Sequence, residues 1–67
     1  MRIDKIKIMV VMAKQGLNQL QLAEKTGMSR GNLSTIVNGK RCKVETVIKI
    51  ATALGVDYSE LLEEKEA

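Results

Sequence analysis

The sequence predicts an all-α fold, a compact bundle of five helices joined by short connections. Apolar residues recur with a helical period along almost the whole chain, and no segment alternates as a β-strand does. Glycine closes four of these periodic stretches, a position typical of helix ends. The 67 residues suffice for one domain, which we expect to cover residues 1–67, with a modest core in residues 3–62 and a frayed acidic tail in residues 63–67.

The first two helices are predicted over residues 3–14 and from the N-cap Asn18 to residue 25. Gly16 and Gly27 follow them and allow the chain to turn. In the first helix the expected buried side is formed by Ile8, Val11 and Met12. In the second helix we expect burial of Leu20, of Ala23 and, in part, of Leu22.

The third helix is predicted from its N-cap Ser29 to residue 37, and Asn38 and Gly39 end it. Its inward side is predicted to consist of Leu33, Ile36 and Val37. The spacing of these residues turns residues 31, 34, 35 and 38 outward. Met28, in the turn before this helix, is expected to pack into the core.

The fourth helix is predicted over residues 44–54, and Gly55 ends it. Its apolar stripe consists of Val47, Ile50, Ala51 and Leu54. A fifth, short helix is predicted after Asp57, since Glu60 three residues later completes a capping box. Leu61 and Leu62 are expected to dock this last helix.

Composition excludes several classes of function. The chain has no His and one Cys, so neither a disulfide nor a Cys/His zinc site forms within it. It offers no pair of nucleophile and base, so we expect neither an enzyme nor a cofactor, and no small-molecule effector is evident. No apolar run approaches the roughly 20 residues that cross a membrane. A reducing, cytoplasmic setting fits this composition.

The charge is unevenly distributed along the chain. Residues 1–56 carry ten basic and three acidic side chains, whereas residues 57–67 carry five acidic side chains and one basic. A basic body with an acidic end suits a polyanion on one face, although charge alone fits an ordinary solvated surface equally well. The single aromatic residue, Tyr58, argues against a surface for stacking unpaired bases.

Residues 19–38 combine two short helices with a tight turn between them. Ala23 is small where the two helices must approach each other, and Gly27 lies where the chain must turn. Leu33 and Ile36 supply the buried side of the second of these helices. This is the pattern of a helix-turn-helix, which places one helix in the major groove of DNA.

The layout resembles the phage-repressor and Cro-like (Xre-type) helix-turn-helix family. The resemblance is carried by the segments GLNQ at 16–19, LAEK at 22–25, GMS at 27–29, NGK at 38–40 and ALGV at 53–56, with Ile36, Ile50 and Ala51. It covers residues 3–62 and implies a lambda-repressor-like DNA-binding domain, with the helix-turn-helix formed by helices 2 and 3.

The resemblance implies two sets of DNA-contacting residues. The base-reading positions would be Arg30, Gly31, Asn32, Ser34 and Thr35. The phosphate-contacting positions would be Gln19, Ser29, Asn38, Lys40, Arg41 and Lys43. Side-chain chemistry agrees, since Arg pairs with guanine, Asn with adenine, and a Thr methyl packs on thymine. Each cation taken alone is more simply a solvated charge, and Asn38 is equally well explained as a residue that ends its helix.

Three positions depart from the family pattern. Met12 and Val37 stand where many members have an Arg and a Glu that form a buried ion pair, and we interpret them as a paired apolar replacement. Lys43 stands where Ser or Thr commonly caps the fourth helix. Cys42 stands where proline is common, and we interpret it as a small packing residue and not a redox switch.

The sequence therefore predicts a sequence-specific regulator that binds double-stranded DNA, most simply a repressor. The alternative is a protein-interaction module of antitoxin or adaptor type with the same fold, which the acidic end and the missing side chain at Gly31 favour. A homodimer is expected for the DNA-binding function, with Val56, Tyr58 and Leu61 as candidate contacts.

Overall fold

The computed structural model describes residues 1–63, which are helical and contain no β-strand. The four α-helices are α1 (Lys5–Gln15), α2 (Gln19–Thr26), α3 (Arg30–Val37) and α4 (Val44–Leu54). A single 3-10 turn, Tyr58–Glu60, follows them. The expected bounds of α3 and α4 are confirmed, and those of α2 differ by one residue.

The expected five helices are not found in residues 1–63, because the fifth element is only this 3-10 turn. The capping box of Asp57 and Glu60 forms as predicted. The chain cannot continue as a helix, however, since Leu62 pairs with Ile3 in an antiparallel β-bridge and must be extended there. Of the predicted frayed tail, residue 63 donates its backbone N–H to Arg2 (3.4 Å), and residues 64–67 lie outside the described residues.

The start of α1 also differs from the expectation. Asp4 lies outside the helix as its N-cap, and its Oδ1 accepts the backbone N–H groups of Ile6 and Lys7 at 2.9 and 3.1 Å. Ile3 is extended and buried in the bridge to Leu62. The helix is therefore shortened because its first predicted residue has a partner at the other end of the sequence.

Local signals set the remaining helix ends. Asn18 and Gln21 form a reciprocal capping box at the start of α2, and Ser29 caps α3. Gly27 has φ +73°, a left-handed conformation that a residue with a Cβ rarely adopts, and it lets the chain turn from α2 towards α3. The other three predicted glycine stops also have positive φ.

One apolar cluster forms the core. Its buried members are Ile3, Ile8, Met12, Leu22, Ala23, Leu33, Ile36, Val37, Val47, Ile50, Ala51, Leu54 and Leu61. The predicted stripes of α3 and α4 are all among them. Met28 and Leu62 are partly buried against the cluster, as expected. Thr26 is also buried, which the sequence analysis does not predict. Its hydroxyl donates to the backbone oxygens of Leu22 and Ala23.

Two expectations about leucines are wrong. Leu20 is 47% exposed, whereas Leu22 is 0% exposed. Two residues along a helix correspond to about 200° of rotation, so the two side chains lie on opposite faces, and only Leu22 shares the inward face with Ala23 and Thr26. Leu61 is completely buried, which removes it from the expected dimer contacts.

The two leucines of α2 provide a matched test of this core. We expect Leu22→Ala to lower the free energy of unfolding by about 2–5 kcal/mol, because it leaves a cavity in the only apolar cluster that residues 1–63 form. Leu20→Ala should change it by less than about 0.5 kcal/mol. Urea unfolding monitored by circular dichroism measures both values. Equal losses for the two variants would contradict the assigned orientation of α2.

Candidate nucleic-acid interface

Helix α3 is held by one face and is open on the other. Leu33, Ile36 and Val37 attach it to the core, and it packs against α2. At the turn between the two helices, the backbone N–H of Met28 donates to Ala23 at 3.1 Å and to the Thr26 hydroxyl at 3.3 Å. The turn is thus bonded to α2 at two points, which fixes the direction in which α3 leaves it.

The candidate base-reading residues lie on the open face of α3. Arg30, Gly31, Asn32 and Thr35 are exposed, while Ser34 is half-buried at the edge of that face. A Cβ added at Gly31 would meet no atom within 4 Å, so this position is an uncovered part of the helix surface. The arrangement matches the outward positions expected from the spacing of the buried residues.

Several polar side chains on this face bond to the backbone of α3 itself. The Thr35 hydroxyl donates to the backbone oxygen of Asn32 (2.8 Å), and the Asn38 amide donates to that of Ser34 (2.9 Å). The Ser29 hydroxyl oxygen accepts the backbone N–H of Asn32 (3.2 Å) and can still donate its own proton outward. Ser29 and Asn38 therefore hold the two ends of the helix while keeping a polar atom for a ligand.

The first turn of α3 presents backbone donors. The N–H groups of Arg30 and Gly31 have no acceptor among residues 1–63, since the side-chain cap reaches only Asn32. Free donors at a helix N-terminus favour an anion through their own hydrogen bonds and through the helix dipole. This end of α3 thus adds to the effect of the Arg30 cation.

Apart from Gln19, the candidate phosphate-contacting residues lie at or beyond the two ends of α3. Gln19 is half-buried at the first position of α2, and Ser29 caps the start of α3. Lys40, Arg41 and Lys43 are exposed in the segment that joins α3 to α4. Because α3 has eight residues, about 12 Å of helix separate Arg30 from this segment.

The charged side chains that surround α3 in the sequence are all basic. Residues 25–44 contain five basic side chains and no acidic one. No hydrogen bond or ion pair joins the side chain of a candidate cation (Arg30, Lys40, Arg41 or Lys43) to a residue in the described part of the chain. The side chains of these cations are not neutralised by described neighbours, which suits a polyanion.

Most of the chain matches the model of a known protein family. The family model described as Helix-turn-helix matches residues 8–61, which include all four α-helices except the start of α1. The chain belongs to this helix-turn-helix family, of Xre/Cro type. The match confirms the resemblance expected from the sequence.

Solved structures with the same fold come from an enzyme. The chain is similar to hydroxyethylphosphonate dioxygenase in its Y98F mutant, with a TM-score of 0.82 and 24% sequence identity. It is also similar to PhpD with cadmium and to PhpD with cadmium and hydroxyethylphosphonate, each with a TM-score of 0.80 and 24% identity. All of this chain is covered but only 15% of each of those chains, so the likeness concerns the fold. No curated protein sequence matches the chain.

Lys43 departs from the usual helix-turn-helix pattern, and the structure shows what this does to the start of α4. It is the N-cap of α4 and gives no side-chain hydrogen bond to that helix. Its backbone oxygen accepts from Thr46 (3.0 Å) and Val47 (3.2 Å), while the N–H groups of Val44 and Glu45 have no acceptor among residues 1–63. A cation at this end opposes the helix dipole, so the local arrangement favours a bound anion.

The two other departures concern packing. Met12 and Val37 are both buried in the apolar cluster that residues 1–63 form, as the paired replacement of an ion pair requires. Cys42 is half-buried, and burial raises the pKa of its thiol, with a smaller opposite effect from the nearby N-terminal ammonium. A thiol with a raised pKa is less reactive, in agreement with its interpretation as a packing residue.

Residues 1–63 contain neither a helix that could span a membrane nor a group of metal-ligand side chains. No helix in residues 1–63 has the length and apolar character needed to cross a membrane. Among the same residues, no three His, Cys, Asp or Glu side chains are grouped as metal ligands are.

Restoring a cap on α4 should stabilise the domain. We expect Lys43→Ser to raise the free energy of unfolding by about 0.5–2 kcal/mol, because the hydroxyl would accept an N–H that now has no partner and the repulsive charge would be removed. Lys43→Ala removes only the charge and should gain less. Urea unfolding at low ionic strength compares the two variants, and an equal gain would show that capping contributes nothing here.

Proposed function

We propose that this protein is a sequence-specific regulator of transcription that places α3 in the major groove of double-stranded DNA. The observation that carries the proposal is the open face of α3. This helix lies in a segment of 20 residues, 25–44, that contains no carboxylate and has exposed cations before and after the helix. Membership in the helix-turn-helix family supports DNA binding as the general function. The protein acts by binding, without a catalytic step or cofactor of its own.

The base-reading side chains differ in length and in the base that each can contact. Arg30 is long enough to donate two hydrogen bonds to a guanine edge, and Asn32 can pair with adenine. Thr35 donates its hydroxyl proton to its own helix, so its methyl group is the part suited to a thymine methyl. Gly31 contributes no side chain and allows the backbone of α3 to approach the bases closely.

The phosphate contacts orient the domain. Gln19, Ser29 and Asn38 mark the ends of α2 and α3, and the exposed cations of the following segment extend the contact along the backbone of the DNA. These six contacts for each protomer would make the affinity fall with salt, at a log–log slope of about −0.9 for each phosphate that one of the three cations neutralises.

We infer that the mechanism is repression, by occlusion of a promoter, and that the protein acts in the cytoplasm. One module of this size buries roughly 600–1,000 Å² on DNA, which is modest. Two copies on half-sites one helical turn apart would supply the missing affinity. We therefore propose that the protein acts as a homodimer and without a small-molecule effector.

The proposal is tested by selecting bound sequences from a pool of random duplexes at physiological salt. We expect an enriched palindrome with half-sites about 10 base pairs apart, because two α3 helices related by a two-fold axis read the same half-site. A folded protein that enriches no sequence would overturn specific DNA binding and favour the protein-interaction module.

Arg30→Ala tests the role of the first residue of α3. We expect discrimination at one base pair of the half-site to fall by about 1–3 kcal/mol while the salt slope stays nearly constant. Binding to the selected site and to single-base variants is measured by fluorescence anisotropy. Lys49→Ala, which removes an exposed cation from α4, serves as the control and should leave discrimination intact. A uniform loss on all sequences would make Arg30 a phosphate contact.

A further inference from the structure

Residues 1–3, which precede α1, pair with two distant parts of the chain. Met1 and Cys42 exchange two backbone hydrogen bonds, at 2.8 and 2.9 Å. Two residues exchange both bonds in this way where their segments run antiparallel. On the other edge, Ile3 forms the antiparallel bridge with Leu62. Residues 1–3 therefore lie between the segment that joins α3 to α4 and the end of the described chain.

This pairing brings Arg2 beside Arg41. Because the two segments are antiparallel, the residue after Met1 lies next to the residue before Cys42. Residues that face each other across such a pair have their side chains on the same side. Cys42 packs against the core, and Ile3 is 1% exposed within it. The alternation along both segments therefore turns Arg2 and Arg41 outward, and both are exposed.

The carboxylates close to Arg2 do not neutralise it. Asp4, two residues along the chain, uses its carboxylate to cap α1. Glu63 lies across the other edge and donates its backbone N–H to the backbone oxygen of Arg2 (3.4 Å), and its side chain is exposed. The ammonium of Lys7, on that same edge, donates to a backbone oxygen (3.0 Å). No hydrogen bond or ion pair joins the guanidinium of Arg2 to a residue among 1–63.

The pairing thus gathers cations that are far apart in the sequence. Lys43, two residues after Arg41, is also exposed, so Arg2 joins a group of at least three cations. Like charges that face each other across a strand pair destabilise it. An anion bound beside Arg2 and Arg41 offsets this repulsion. A polyanion such as the DNA backbone suits the group best, because it presents several phosphates in a row.

We propose that Arg2 binds a phosphate of the DNA backbone next to Arg41 and is a fourth phosphate-binding cation of the interface. The inference rests on the proposed function, because it adds a contact to the same interface. A guanidinium suits this role, since its planar fork donates to two phosphate oxygens at once. The hydrogen bonds of Met1 and the bridge of Ile3 order the backbone on both sides of Arg2, so mainly its side chain loses freedom on binding.

The contact is tested by fluorescence anisotropy of the whole chain on the selected duplex, from about 50 to about 200 mM salt. We expect Arg2→Ala to make the log–log slope of affinity against salt shallower by about 0.9 and to weaken binding equally on single-base variants of the site. Arg2→Lys keeps the charge and should keep the slope. Lys49→Ala, which removes an exposed cation from α4, is the control of equal charge and should also keep it. Far-ultraviolet circular dichroism confirms that each variant is folded.

Three outcomes would overturn the contact while the proposed function stands. The slope of Arg2→Ala could equal that of the wild type on a duplex that both bind. Arg2→Ala and Lys49→Ala could lower the slope equally, which would make the effect one of net charge. Arg2→Ala could instead relax discrimination at one base pair, which would make Arg2 a base-reading residue. A folded wild-type chain that binds no duplex at about 50 mM salt would overturn the contact and the proposed function together.

Discussion

The packing of the other elements against α4 is the constraint on which this structure depends. Its stripe of Val47, Ile50, Ala51 and Leu54 is completely buried or nearly so, and α1, α2 and the 3-10 turn all contact this helix. Helix α3 in turn packs against α2, so its position relative to the rest of the molecule is set through α2. In a chain of this length each buried side chain supplies a large share of a small total stability.

The first four residues join two distant parts of the chain to this core. Met1 exchanges two backbone hydrogen bonds with Cys42, at 2.8 and 2.9 Å, and Asp4 donates its backbone N–H to Leu61 at 2.7 Å. The segment that carries Lys40, Arg41 and Lys43 is thereby tied to the start of the chain. A segment ordered before binding loses less conformational entropy when it meets its ligand, which helps a small interface.

The surface is divided into regions of different chemistry. The segment of residues 25–44 carries cations and no carboxylate, Ile6, Met9 and Val10 are exposed on α1, and the end of the described chain is negative through Asp57, Glu60 and Glu63. The same fold is found in a dioxygenase of which it covers a small part, so the fold alone does not select a function.

The sequence by itself determined the ends of α2, α3 and α4 to within one residue, the inward stripes of α3 and α4 and the outward position of the candidate base-reading residues. These features depend on caps such as Ser29, on glycine stops such as Gly27 and on the helical period, all of which act within a few residues. Only the tertiary structure decided the features that need a distant partner. Ile3 and Leu62 pair across the chain, which shortens α1 at its start and limits the last element to one turn. Periodicity shows which side chains share a face, but a face is buried only where another element covers it, and this is why Leu20 on α2 and Val10 on α1 remain exposed.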